Sequence, residues 1–161
     1  PDGRRLCIAD FFHSRQSGQT GERDVVAFQI VTMGRVASER SHELFKADLY
    51  DDYLHFHGLA VEAAEALAEL WHKRVRADLG ISALDAKTPE GLFGQGYQGS
   101  RYSFGYPACP RLEDHVPLFR LLGAERIGLS LSEEFQIVPE QSTAALLCHH
   151  PEAKYFSITA Q

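Results

Sequence analysis

Residues 51–79 read DDYLHFHGLAVEAAEALAELWHKRVRADL, the longest regular stretch in the chain. Asp51 and Asp52 put carboxylates where the first helical amides lack partners and the helix dipole is positive. Arg74 and Arg76 sit toward the other end, and Gly80 supplies a stop. A helix over this span runs about 40 Å at ~1.5 Å per residue. Glu62, Glu65, Glu69, His72, Lys73 and Arg76 recur at three- and four-residue spacing, which makes one polar stripe. Nearly everything else in the segment is apolar, so the expectation is a mostly buried helix with Trp71 inside and Glu62 in water.

Working outward, residues 36–48 carry a helical pattern with Val36, Leu44, Phe45 and Leu49 as apolar points. Before them, residues 24–33 (DVVAFQIVTM) are rich in β-branched residues and predict a buried strand ended by Gly34. Residues 5–12 (RLCIADFF) read as a further strand running to Asp10, and the polar residues 13–23 as a loop or hairpin connection. Beyond the long helix, Thr88-Pro89-Glu90 reads as an N-cap with Pro at the first helical position, opening a short helix to about Phe93. Residues 94–110 (GQGYQGSRYSFGYPACP) hold four glycines and two prolines with aromatics between them, which suits an ordered loop rather than a linker. Residues 111–122 form an amphipathic helix ending at Gly123. Residues 129–134 read as a turn with a capping box at Ser130 and Glu133. Three strands follow, at 135–138, 143–149 and 154–159. Helices in the middle and strands gathered at the end predict an α+β fold with a mainly antiparallel sheet.

The chain has 161 residues, 44% hydrophobic and 24% charged, which is enough for one domain with a sizeable core. The formal net charge of -6 argues against generic binding to nucleic acid or an anionic membrane. No apolar run approaches the roughly 20 residues that span a bilayer, and no signal-peptide pattern opens the chain. Cys7, Cys109 and Cys148 form no C-x-x-C pair, and so sparse a set fits a reducing, cytoplasmic setting. The only methionine is Met33, so the chain reads as a piece of something longer.

Several residues look chemical in isolation. His149 and His150 follow Cys148, but neighbours on a strand point to opposite faces and do not readily share a metal. His55 and His57 lie two apart on a helix and share no face. No metal site is expected. Cys109 has no histidine placed beside it by sequence, so a buried small hydrophobe is the plainer reading than a thiolate. The 94–110 loop contains neither a Walker-type nor a G-x-G-x-x-G pattern. Its glycines allow close backbone approach, its tyrosines offer flat faces, and Arg101 offers a bidentate grip. Two readings stand side by side: a site for a planar, carboxylate-bearing small molecule, or a structural glycine loop. Glu65 and Glu69 are like charges one turn apart, and Lys73 relieves only Glu69. Glu65 therefore either faces water or meets a bound cation.

At residues 101–110 the string RYSFGYPACP resembles the R-x-x-x-G-Y-P-A-C-P signature of the activation domain of cobalamin-dependent methionine synthase. The segments LCIADF at 6–11, DDY at 51–53, AEALAELWHKRVR at 64–76, YQGSR at 97–101, PEQST at 139–143 and HPEAKYF at 150–156 resemble the same family in the same order. The resemblance implies an α+β fold with a curved antiparallel sheet, and a chain, 1–161, that is the core of one activation domain. It implies binding of S-adenosylmethionine (AdoMet), with cobalamin held mainly by another domain. When cob(I)alamin oxidises to cob(II)alamin, the family's activation domain caps the cobalamin domain, flavodoxin or an equivalent reductase supplies an electron, and AdoMet supplies a methyl group. The parent is then a methyltransferase, and this domain alone holds no complete active site and no catalytic acid or base.

Residue by residue, the resemblance assigns Asp10 to the ligand's α-amino group and Arg101 to its carboxylate. It places the backbone around Ser103 near the adenine, Glu65 near the ligand, and Tyr155 and Phe156 at the site from the chain's last strand. Tyr106 is expected near the transferred methyl, facing the corrin. Two departures stand out. Some members carry Tyr where this chain has Phe156, and some carry an acidic residue where it has Gln95. The family domain also usually extends beyond both ends of this stretch. A second function consistent with the resemblance is a non-catalytic AdoMet-binding or docking module that reactivates another corrinoid protein. The full reading frame separates the two.

Overall fold

Strand β1 (Ala27–Thr32), helix α1 (Gly34–Lys46) and the long helix α2 (Tyr50–Asp78) follow one another in a computed structural model that describes residues 7–14 and 24–155. After them come α3 (Pro89–Phe93), β2 (Ser100–Ser103), α4 (His115–Leu122), β3 (Ser130–Leu131), β4 (Ile137–Val138) and β5 (Ser142–Cys148). Strand β5 is the centre of a three-stranded antiparallel sheet in the order β1-β5-β2, and β3 pairs with β4 separately. This is the α+β class that the order of elements predicts.

The register sets the two faces. Ala27 and Arg101 both lie opposite Leu147, so the three side chains share a face. Gln29 is on that face too, and its Nε2 donates to the Ala68 carbonyl of α2 at 3.2 Å, so this is the side that α2 covers. The other face carries Tyr102 and Cys148, with Ala153, Ile8, Phe11 and Phe12 packed on them.

Helix α2 meets the sheet along Ala60, Ala64, Ala68, His72 and Arg76, every fourth residue. The expected polarity of this helix is reversed over its C-terminal half. Trp71 is 45% exposed, with the Arg74 guanidinium 4.9 Å from its ring centroid, while His72 and Arg76 of the polar stripe are fully buried. A line of alanines lets the helix come close to the strands, which leaves no depth for an indole; buried Arg76 is met by Asp85 from beyond the helix, and the His72 ring packs edge-on against Tyr97. Glu62 is exposed, as expected.

Other expectations are corrected more locally. Residues 8–11 are a 3-10 turn (Ile8–Phe11), not a strand. Both edges of β5 are already taken by β1 and β2, and the spacing of Ile8, Phe11 and Phe12 suits a turn packed on the Tyr102 cluster. Gly34, at φ 80, opens α1 rather than simply closing β1. On α1, Leu44 is buried while Val36 and Phe45 point outward. The loop at 94–110 contains strand β2. In the 129–134 segment Ser132 organises the turn, its Oγ accepting from the amides of Glu134 and Gln136, while Ser130 belongs to β3. Of the expected strand at 154–159, Lys154 and Tyr155 are irregular, and the rest lies outside the described residues. The helix at 89–93 holds as read, with the Thr88 hydroxyl accepting from the Gly91 amide at 3.2 Å.

Candidate functional site

Strand alternation sends Ser100 and Tyr102 into buried positions and turns Arg101 and Ser103 to the α2 side. Gly99, at φ 88, makes this possible: a Cβ there would run into the Cys148 carbonyl oxygen, so only glycine lets β2 start this close to β5. From α2, the carboxylates of Glu65 and Glu69 meet the guanidinium so placed. Arg101 Nη2 lies 3.2 Å from Glu65 Oε2, and Arg101 Nε lies 3.6 Å from Glu69 Oε2.

Glu69 is the hub behind this contact. The Tyr97 hydroxyl donates to its Oε2 at 3.1 Å, and Arg76 Nη1 lies 3.6 Å from its Oε1. Arg76 is fully buried, donates from Nε to Asp85 Oδ2 at 3.0 Å, and lies 3.8 Å from the Tyr97 ring centroid. Burial raises the Glu69 carboxyl above its ordinary value against the pull of Arg101 and Arg76. Burial and the charge on Glu69 push the Tyr97 phenol up to about 12, so it stays a neutral donor. The repulsion between Glu65 and Glu69 is thus relieved by Arg101, and Arg76 adds to the hold on Glu69. Lys73, the partner expected from sequence, is exposed.

Glu65, Glu69, Tyr97 and Arg101 line an open cavity of about 540 Å³, which Glu62, Phe93 and Tyr155 also border. Gln95 ties its rim together from a left-handed backbone position, φ 54. Its Oε1 accepts from the Tyr155 amide at 3.0 Å and from the Ser100 hydroxyl at 3.3 Å. Lys154 Nζ donates to the carbonyls of Gln95 and Tyr97, which straps the segment after β5 to the loop. Gln95 is therefore an acceptor used within the fold.

Of the residues singled out by sequence, Glu65, Arg101 and Tyr155 come together in this cavity. Ser103 lies two residues along β2 from Arg101, outside the cavity wall. Asp10 is exposed on the 3-10 turn, which packs on the opposite face of the sheet, and is likewise outside the wall. Tyr106 is 56% exposed in a tight turn in which the Cys109 amide donates to its carbonyl. Phe156 lies outside the described residues. Cys109 is half-buried, and burial pushes its thiol up, away from thiolate. His149 and His150 diverge: the His149 ring lies 6.5 Å from His72, and the His150 ring lies 5.4 Å from Phe11.

The family described as "Vitamin B12 dependent methionine synthase, activation domain" matches residues 2–160. The chain belongs to this family. It is 51% identical to the methionine synthase of Mycobacterium tuberculosis (strain ATCC 25618 / H37Rv) and covers 14% of that protein, using 97% of its own length. It is 49% identical to the methionine synthase of Mycobacterium leprae (strain TN), again spanning 14% of it. Among solved structures it is similar to a MetH reactivation domain crystallised with AdoHcy, at a TM-score of 0.86 and 29% identity, over 96% of this chain and 47% of that one. The activation-domain chain thus spans about one-seventh of the curated relatives it matches. Among its described residues, no helix is long and apolar enough to cross a membrane.

Proposed function

We propose that this activation domain binds AdoMet in the Arg101 cavity and, within a longer methionine synthase, supports reductive remethylation of cobalamin. The observation that carries the reading is the disposition of Arg101. Its Nε and Nη2 are turned toward Glu69 and Glu65, Nη1 is buried without a hydrogen-bond partner among the described residues, and the residue lines the cavity. A buried donor left unpaired costs about 1–3 kcal/mol, which a ligand carboxylate would recover. Glu65 stands beside it as a further carboxylate near the ligand's amino-acid end. The rings of Phe93 and Tyr155 offer faces to the adenine and the sulfonium. The solved relative holds AdoHcy, which is AdoMet without its transferable methyl group. The roles of Asp10, Ser103 and Phe156 rest on the family resemblance alone.

Methyl transfer from a sulfonium moves no proton, so the chain needs no general acid or base. Its residues hold and orient the donor. Cobalamin, bound by another domain of the same cytoplasmic enzyme, supplies the metal nucleophile, and flavodoxin or an equivalent reductase supplies the electron. Residues 1–161 act as the core of one domain. Titration calorimetry tests the binding step: AdoMet and AdoHcy should both bind the isolated chain, with and without a chelator. Absence of heat on folded protein would sink the reading, and loss of binding with the chelator would reveal an unforeseen metal.

A further inference from the structure

The cavity wall is more acidic than the ligand grip requires. Glu62, Glu65 and Glu69 face it with Arg101 as the only cation in the wall, an excess of two negative charges among the described residues. Arg76, behind Glu69, is already matched by Asp85 at 3.0 Å. Lys154 gives its ammonium to the carbonyls of Gln95 and Tyr97, and counting it still leaves one negative charge in excess. Glu65 and Glu69 are both engaged by Arg101. Glu62, one turn before Ala66 and on the same wall, has no ion-pair or hydrogen-bond partner among the described residues. A carboxylate free of any partner contributes to the field that an entering ligand meets, and does so at no cost to a pre-existing pair.

We infer that Glu62 makes this cavity a charge filter, which favours the cationic methyl donor over its neutral product. The inference rests on the AdoMet reading above and adds a determinant of ligand choice to it. AdoMet carries a carboxylate, an ammonium and a sulfonium, hence one net positive charge; AdoHcy has lost the sulfonium and is neutral. Arg101 and Glu65 act on the amino-acid end, which the two ligands share, so they do not separate them. Glu62 acts on the charge that differs. Demethylation of the ligand then removes the part of its binding that depends on the acidic wall, which promotes release of the spent donor. Because Glu62 is exposed, the attraction is of the solvent-screened kind and weakens with salt.

The test is equilibrium dialysis of AdoMet, AdoHcy and sinefungin, an isostere whose added ammonium replaces the sulfonium, against the wild-type chain and Glu62→Gln. In the wild type both cations should bind more tightly than AdoHcy, and the gap should narrow as salt is raised. Glu62→Gln should cut the cation-to-neutral affinity ratio by about threefold, the size of one exposed charge interaction. An unchanged ratio in the variant overturns the inference. So does a preference for AdoMet that sinefungin does not share, since methyl shape rather than charge would then be read. If none of the three ligands binds folded protein, the AdoMet reading itself falls and takes the filter with it, an outcome distinct from binding without discrimination.

Discussion

Arg101 works because three of its surroundings are decided separately. The β2 alternation aims it at α2, Glu65 and Glu69 hold two of its nitrogens, and the third is left buried and unpaired. Replacing it with alanine should weaken AdoMet binding by about 2–4 kcal/mol, because a charge-assisted pair is lost and the ligand carboxylate is stranded. Arg101→Lys should restore only part, since an ammonium cannot reproduce the planar fork. Calorimetry on both variants checks this, and equal affinity for wild type and the alanine variant would remove Arg101 from the site. Arg101 and Glu65 were legible in the sequence, the first from a ten-residue signature and the second from its place in a helical stripe. The Glu69–Arg76–Asp85 relay was not. Asp85 lies beyond the end of α2 and reaches Arg76 only because the chain turns back after Gly80, at φ 72. No periodicity in the helix points to that partner. Removing it by Asp85→Ala leaves a fully buried guanidinium short of its strongest acceptor, at a cost of about 3–5 kcal/mol in unfolding free energy. Asp85→Asn should cost less, since its carbonyl still accepts from Nε. Urea denaturation of the pair decides, and equal stability of the two variants would mean that the carboxylate's charge, and not its acceptor oxygen, holds Arg76.

At the scale of the element, α2 shows why a stripe of polar residues does not by itself reveal a helix's wet face. Hydrophobicity assigned Trp71 to the core and His72 to water, yet backbone proximity decided the outcome, because Ala60, Ala64 and Ala68 set a close contact line on which His72 and Arg76 also lie. His72 is the consequence with a measurable signature. Neither of its ring nitrogens has a hydrogen-bond partner, and its ring packs edge-on at 5.1 Å from Tyr97. Burial first, then the Arg76, Arg101 and His149 charges, lower its pKa from 6.5 to about 3. Burial lowers His149 as well, with Arg76 second. Glu69, also on α2, is the nearby carboxylate, and it is engaged by Tyr97, Arg76 and Arg101. The native state therefore keeps His72 neutral while the unfolded chain takes up a proton below pH 6.5, so stability is whole above that pH and declines as pH falls from 6.5 toward about 3. At one unit below 6.5 the loss from this residue is about 1.4 kcal/mol. His72→Leu should shed that part of the acid sensitivity. Urea midpoints on either side of His72's ordinary pKa give the comparison, and an acid loss as steep in the variant as in wild type would exonerate His72.

The whole molecule has an order of elements that told its class and a sheet that did not tell its layout. Strands clustered after the helices indicated α+β, but β2 is four residues inside a glycine-rich loop, too short for a pattern, and it pairs with β5 where Gly99 allows a close backbone approach. The same loop ends in the turn that carries Tyr106, and here the scale of explanation must exceed the chain. Tyr106 is 56% exposed and stands outside the Arg101 cavity wall. Pro107 fixes the backbone beside it, and the amides of Gly105 and Cys109 close the turn onto the carbonyls of Cys109 and Tyr106. A large ring held in the open by a rigid turn gains nothing for the isolated chain, whereas a surface that closes over it would gain a preorganised contact. Tyr106→Ala should accordingly leave AdoMet affinity of the isolated chain within about tenfold, roughly 1.4 kcal/mol. If the domain caps the cobalamin domain as proposed, the same substitution should slow formation of methylcobalamin from cob(II)alamin in the full-length enzyme by a larger factor, because its contacts would form only when the two domains close around the reacting atoms. Both quantities are measured on the same substitution. A parallel fall would make Tyr106 a plain ligand contact, and no change in either would take from the capping reading the residue it rests on and leave a simple AdoMet-binding module as the better description.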